Sequence, residues 1–273
     1  FLEDRWPDNN CFEGWWGFDT LPKLNYEGSK ELCDYIIEVG KKWVSPPYNV
    51  DGWRLDVAAD LGHSQEFNHE FWKKFRKAVK EANPEAIILA EHYGDANSWL
   101  QGDQWDTIMN YDGFMDPVTW FLTGVDKHSD NSNPGMRGDA GTFNDHSRFL
   151  TRTNRMVGRV GTAGTAAASQ DIDEAIFKQG VVFQMTLPGA PTLYYGDEAG
   201  VCGWTDPDNR RTYPWGHENF EILEFYRETI AIHRQHKVFK TGSYKPLVEQ
   251  RDLLCYGRFD MDNAAFVAIN TSD

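Results

Sequence analysis

Two short runs, Val50-Asp51-Gly52-Trp53-Arg54-Leu55-Asp56-Val57 and Ala86-Ile87-Ile88-Leu89-Ala90-Glu91, each carry a carboxylate at or near their C-terminal end, and about one helix of chain separates them. In the first run side chains alternate with a period of two, so Gly52, Arg54 and Asp56 share one face and Trp53, Leu55 and Val57 the other. The second run is apolar on both faces, which predicts a parallel strand covered on both sides. Between them, Glu66 to Asn83 carries Phe67, Phe71, Phe75 and Val79 on one four-residue ladder, with Trp72, Ala78 and Ala82 beside it, and this predicts an amphipathic helix. Strand, helix, strand gives a βαβ unit with Asp56 and Glu91 at the C-terminal ends of neighbouring parallel strands, where β/α barrels place their reactive groups. A charged Arg54 and Asp56 on the inward face are costly unless they find partners or do chemistry.

The same reasoning extends along the chain. Lys30 to Trp43 reads as a helix with Leu32, Tyr35, Ile36, Val39 and Trp43 on its inner face, and Thr107 to Tyr111 as a further strand. Asp171 and Glu174 form a capping box opening a helix through Leu187. The turn residues Pro188 to Pro191 precede a strand over Thr192 to Tyr195, and Asn219 to Gln235 is the next helix. From Thr241 the pattern changes to short strands, among them Leu253 to Tyr256 and Ala265 to Ile269.

Composition narrows the function classes. At 273 residues, 40% hydrophobic and 14% aromatic, the chain can bury a large core as one domain. No apolar run approaches the roughly 20 residues of a membrane span, and Phe1-Leu2-Glu3-Asp4 shows no basic-then-apolar signal pattern, so a soluble protein, secreted or cytoplasmic, is expected. The formal charge of -15 argues against nucleic acid and leaves a neutral substrate unhindered. Cys11, Cys33, Cys202 and Cys255 are too scattered for a zinc site or a disulfide framework. His63 and His69, and His233 and His236, lack the Glu-flanked spacing of a hydrolytic metal site, and the glycines at 158, 161 and 164 read as a loop rather than a phosphate cradle.

Five stretches together resemble the α-amylase family of glycoside hydrolases. Asp51-Gly52-Trp53-Arg54-Leu55-Asp56 is similar to the family's nucleophile strand, and Leu89-Ala90-Glu91-His92 to its acid/base strand, with Ala90 where a Gly is usual. Leu21-Pro22-Lys23-Leu24-Asn25 resembles the domain B signature, and its Lys, together with Ala59-Asp60 after the nucleophile strand, favours the neopullulanase and cyclomaltodextrinase branch. Asn144-Asp145-His146-Ser147-Arg148-Phe149 resembles the stretch with the third family carboxylate. Tyr195-Gly196-Asp197-Glu198 with Asp206 to Arg211 resembles the eighth strand and its loop. The order is the family's, which makes the set specific although each match alone is weak.

The resemblance implies an α/β fold: a partial (β/α)8 TIM barrel, about strands four to eight, followed by the start of a C-terminal β domain. Residues 1-27 would be a domain B remnant, 28-240 the barrel portion and 241-273 the β domain. Two departures qualify it. The family's first three strands would precede Trp6, and the connection from Gly124 to Thr142 is rich in Asp, Asn, Ser and Gly with no helical periodicity where a sixth barrel helix is expected. Either residues are absent from that connection or the barrel is truncated, and an open part-barrel exposes an unpaired strand edge.

The implied activity is retaining hydrolysis of α-1,4 glucosidic bonds in an α-glucan or maltooligosaccharide, with α-1,6 bonds as a further candidate linkage. The implied catalytic residues are Asp56 as nucleophile, Glu91 as acid/base and Asp145 as transition-state stabiliser. Arg54 would keep Asp56 ionised, while an acid at the end of an apolar strand can hold its proton. Arg54, His92, Asn144, Trp204, Asp206 and Arg210 are the implied substrate contacts, and Trp15, Trp16 and Trp204 the best sugar-stacking candidates. Asn144 stands where the family has His, which removes a charged donor. The chemistry needs no cofactor; structural calcium is common in the family, but no ligand set is legible here. Transglycosylation on the same fold, and a catalytically impaired sugar-binding fragment, are the competing readings. Oligomeric state is open.

Overall fold

The computed structural model describes residues 12–115, 118, 121–122, 162–163, 174–201, 210–250 and 253–271. The chain divides into two compact units, one of residues 1–91 with 99–106, the other of residues 92–98 with 107–273.

In the first unit, α1 (Lys30–Val44) begins at Ser29, whose hydroxyl accepts from the Leu32 N–H at 3.2 Å. Strand β1 (Gly52–Leu55) pairs in parallel with β2 (Ile87–His92), Arg54 opposite Leu89 and Leu55 opposite Ala90. Between them runs α2 (Gln65–Ala82), capped by Ser64 on the Phe67 N–H at 3.3 Å. The βαβ unit of the sequence reading is therefore present. Phe71, Trp72, Phe75 and Val79 of α2 are buried with Val44, Ile88 and Ala90. Each large side chain so buried contributes about 2 kcal/mol.

Two glycines permit the closeness of this packing. A Cβ on Gly52 would lie 2.1 Å from the Ile87 carbonyl oxygen, and one on Gly40 would lie 2.5 Å from the Phe75 ring. Gly40 also changes the buried face of α1. Gly40 and Val44 are the buried residues of that helix, whereas Tyr35 and Trp43 are exposed, a correction to the expected inner face. The indole of Trp53 donates to the Gly40 carbonyl at 3.0 Å, a contact that a larger residue meeting Phe75 at this position would disturb.

Strand β1 ends one residue before Asp56, and Val57 takes up left-handed backbone (φ 43°, ψ 44°). The predicted continuation of the strand through Val57 is thus replaced by a turn, which leads into a single 3-10 turn over Ala58–Asp60. Ile87 is exposed, so the second run is not covered on both sides along its whole length within this unit. Asp106 braces α2 to β2: its carboxylate meets Arg76 Nη1 at 2.7 Å and Lys80 Nζ at 2.8 Å, and accepts the Ile88 N–H at 2.9 Å. Burial alone would raise this carboxyl's pKa, but the three donors outweigh it and hold the group below its usual value.

The second unit contains β3 (Thr107–Asn110), a π turn over Tyr111–Met115, and β4 (Thr162–Ala163). Next come α3 (Glu174–Thr186) and β5 (Ala190–Pro191). β3 pairs with β4 and β4 with β5, all parallel. The paired residues are Ala190 and Pro191 rather than the expected Thr192 to Tyr195, which lie beyond the pairing in irregular chain. Asp171, expected to cap α3, lies outside the described residues. Asn219 caps α4 (Phe220–Gln235), accepting from the N–H groups of Glu221 and Ile222, and α5 (Lys237–Thr241) follows.

Strands β6 (Ser243–Gln250), β7 (Leu253–Phe259) and β8 (Ala264–Asn270) form an antiparallel sheet. Its buried face, Leu254, Tyr256, Val267 and Ile269, shares a core with Phe183 and Leu187 at the end of α3 and with Phe239. Arg258, 1% exposed, donates to the carbonyls of Thr186 and Gly242, a cation placed at helix C-termini where the backbone dipole favours it.

Candidate active site

The first unit gathers Arg54, Asp56 and Glu91 into one cluster. Arg54 Nη1 pairs with Asp56 Oδ1, and Nη2 lies 3.1 Å from Glu91 Oε2. Glu91 is 7% exposed; Asp56 is open to solvent. Glu91 Oε2 also accepts the Val57 N–H at 3.1 Å, so the turn after β1 is tied directly to the end of β2. One guanidinium bridges both carboxylates, and this corrects the expectation that Arg54 serves Asp56 while Glu91 sits in an apolar setting.

The same turn carries Asp60, whose Oδ2 accepts from both the Trp15 indole at 2.8 Å and the Trp16 indole at 3.2 Å. Trp16 is 77% exposed and its backbone is left-handed (φ 52°), an arrangement that displays an aromatic ring at the cost of local strain. These residues, with Glu13, Lys23 and His63, line a cavity of about 560 Å³. Glu13 links the cavity's rim, meeting His63 Nε2 at 2.7 Å and Lys23 Nζ at 3.3 Å. Both bonds, that to His63 the larger, lower its carboxyl pKa.

Sequence reasoning missed Asn68 and Trp72 as polar holders of this turn. Asn68 is 1% exposed, and its Nδ2 lies 3.0, 3.1 and 2.9 Å from the carbonyl oxygens of Ala58, Ala59 and Leu61. The signal was present: Asn68 is a short polar residue on the same α2 face as Phe71, Trp72 and Phe75.

His92 and Arg210 belong to the second unit. His92 Nε2 lies 3.3 Å from the Asp95 carbonyl, Tyr93 stacks on Tyr111 with centroids 4.9 Å apart, and Arg210 is exposed. Asn144, Asp145, Trp204 and Asp206 lie outside the described residues. Among the described residues no group of three or more His, Cys, Asp or Glu side chains is placed to hold a metal ion. No helix among them is long and apolar enough to cross a membrane.

Comparison with known proteins adds independent findings. The profile of the alpha amylase catalytic domain matches residues 1–242. A cyclomaltodextrinase of Thermoanaerobacter pseudethanolicus is 34% identical, over 98% of this chain and 47% of its own length. An amylopullulanase of Thermoanaerobacter thermohydrosulfuricus is 32% identical, over 98% of this chain and 21% of its own. The crystal structure of a debranching enzyme from Nostoc punctiforme superposes with a TM-score of 0.78 at 29% identity, covering 95% of this chain and 54% of that one. The chain thus spans about half, or less, of the proteins it matches. The amylopullulanase alignment extends over 315 positions against the 273 residues here, so at least 42 (315 less 273) of that relative's residues have no counterpart in this chain.

Proposed function

The chain belongs to the α-amylase family, with the α/β fold of (β/α)8 type that goes with it, and from that premise we propose that it hydrolyses α-1,4 glucosidic bonds of maltooligosaccharides with retention of configuration, with α-1,6 bonds as a further candidate linkage. Asp56 is the nucleophile and Glu91 the acid/base. In the first step a carboxylate oxygen of Asp56 bonds to the anomeric carbon as the glycosidic C–O bond breaks, and Glu91 gives its proton to the departing oxygen. In the second, water bonds to that carbon, Glu91 takes the water's proton, and Asp56 leaves as carboxylate.

The observation that carries this reading is the Arg54 bridge. A single guanidinium bonded to both carboxylates keeps them within one side chain's reach, the scale of the about 5 Å separation that a retaining pair needs. The indole-lined cavity on the turn after Asp56 supports a sugar substrate, since aromatic faces with polar side chains between them suit a pyranose. Asp145 is assigned to stabilising the oxocarbenium-like transition state, and Asn144, Trp204, Asp206, Arg210 and His92 to substrate contacts, on the family resemblance. We read the chain as about strands four to eight of the barrel, with residues 241-273 opening a C-terminal β domain. The absent counterparts of the longer relative's residues keep a catalytically impaired, sugar-binding piece as the second reading.

The test uses maltotetraose and a cyclodextrin with the protein and its Asp56→Ala and Glu91→Gln variants. Turnover that both variants lose while sugar binding persists supports the assignment, with α-anomeric product in fresh NMR spectra. Undiminished turnover by Asp56→Ala, or β product, overturns it. Sugar binding without turnover by the unsubstituted protein supports the second reading.

A further inference from the structure

We infer that Asn68, assisted by Trp72, is a positioning residue for the reacting carboxylate at Asp56; this rests on the assignment of Asp56 made above. The turn that follows Asp56 needs external support. Val57 is β-branched and sits in left-handed backbone, a strained conformation that persists only where the surroundings over-determine it. The surroundings here are few and specific. The Asn68 amide nitrogen, with two hydrogens, faces three carbonyls of this turn, those of Ala58, Ala59 and Leu61. Trp72, one helical turn further along α2, donates its indole N–H to the same Ala58 carbonyl at 2.9 Å. Asn68 is itself fixed in orientation, since its Oδ1 accepts the Trp99 indole N–H at 2.8 Å.

The other end of the turn is held by Glu91, through its bond to the Val57 N–H. Asn68 therefore grips the carbonyl side of a turn whose amide side is gripped by the second reacting carboxylate. Without the Asn68 donors, the Ala58 carbonyl keeps the Trp72 N–H, while those of Ala59 and Leu61 lose the Asn68 bonds. The backbone after Asp56 then keeps only the Glu91 bond to the Val57 N–H, the Asp60 N–H bond to the Val57 carbonyl and the Trp72 bond to hold Val57 left-handed, and relaxing it re-aims Asp56. Asp60, on the same turn, would move with it and release the two indoles it holds.

The test is a kinetic one on Asn68→Asp and Trp72→Phe, with an aryl α-maltoside whose leaving group needs no cavity contacts. Asn68→Asp keeps the shape and the acceptor for Trp99 but loses the donors. The expected result is a kcat lower by about tenfold to a hundredfold, the scale of an ångström's misplacement, with KM changed less than threefold. Trp72→Phe removes one donor and keeps the bulk, and is expected to lower kcat about threefold to tenfold in the same pattern. A folded Asn68→Asp, or, where that variant does not fold, a folded Trp72→Phe, with unchanged kcat overturns the inference, whatever its melting temperature. Failure of the underlying assignment is read separately: Asp56→Ala then retains turnover.

Discussion

The closeness of β1 to β2 can be tested by adding one methyl group. In Gly52→Ala the new Cβ would stand 2.1 Å from the Ile87 carbonyl oxygen, 2.7 Å from the Ile87 nitrogen and 2.8 Å from the carbonyl carbon. Comfortable contact begins near about 3.5 Å, and all three neighbours are backbone, so no side chain can swing aside. The strands must part by about 1 Å. That lengthens the Ile87 N–H to Asp51 carbonyl bond, now 2.9 Å, and strains the register from Gly52–Ile87 to Leu55–Ala90. Losing two hydrogen bonds at about 1 kcal/mol each, with overpacking of about 1–3 kcal/mol, gives a destabilisation of about 3–5 kcal/mol. For a chain of this size that is about 6–20 °C in Tm. The control is Gly180→Ala in α3, where the added Cβ meets Leu122 Cδ1 at 3.5 Å, an ordinary contact. There alanine gains up to about 1 kcal/mol of helix propensity. Calorimetric and urea unfolding of both variants decides it. If the two fall within about 1 kcal/mol of each other, the described strand approach is wrong.

Arg54→Lys keeps the charge but cannot bond two carboxylates in one plane, so kcat should fall about tenfold to a hundredfold with a smaller change in KM; steady-state kinetics with unchanged kcat would refute the bridge. Asp106→Asn should cost about 1–3 kcal/mol at pH 7 by urea titration. Because the folded pKa of Asp106 is lowered, its contribution is present above the unfolded value of about 3.9 and is lost as pH falls through the folded one, so the two unfolding curves should converge in acid. Burial and then neighbouring Glu198 push the Asp197 carboxyl up to about 7. Between about pH 4 and 7 the folded state therefore holds a proton that the unfolded state has released, and stability falls by about 1.4 kcal/mol per pH unit as pH rises. Asp197→Asn should flatten that slope; an unaltered pH profile of Tm would count against it.

The βαβ core was legible because it depends on period alone: the alternation in β1, the four-residue ladder of α2 and the apolar run of β2 each declare their element locally. What was illegible depends on contacts between distant residues. Tyr35 and Trp43 fall with Leu32, Ile36 and Val39 at the spacing of one helical face, yet the buried stripe runs through Gly40, where the Phe75 edge leaves room for nothing larger. No local rule places a valine in left-handed backbone, so the end of β1 at Leu55 could not be read. Nor could the two indoles, 45 and 44 residues from Asp60 in sequence, be assigned to it. Asp56 and Glu91 emerged from pattern and family likeness together, whereas the shared guanidinium emerged only from geometry.

That sharing has an electrical consequence on the proposed assignment. The proposed first step requires Glu91 to bring a proton, so the trio enters that step with one cation, Arg54, and one anion, Asp56. Once Asp56 is esterified to the sugar it is neutral, and Glu91, having given up its proton, is the anion. The sum is zero in both states, and the guanidinium has only to shift its weight from one Nη to the other. The negative charge thus passes between two carboxylates that one guanidinium already touches, so the cation that stabilises it is in place before and after the step and solvent need not be recruited to replace it.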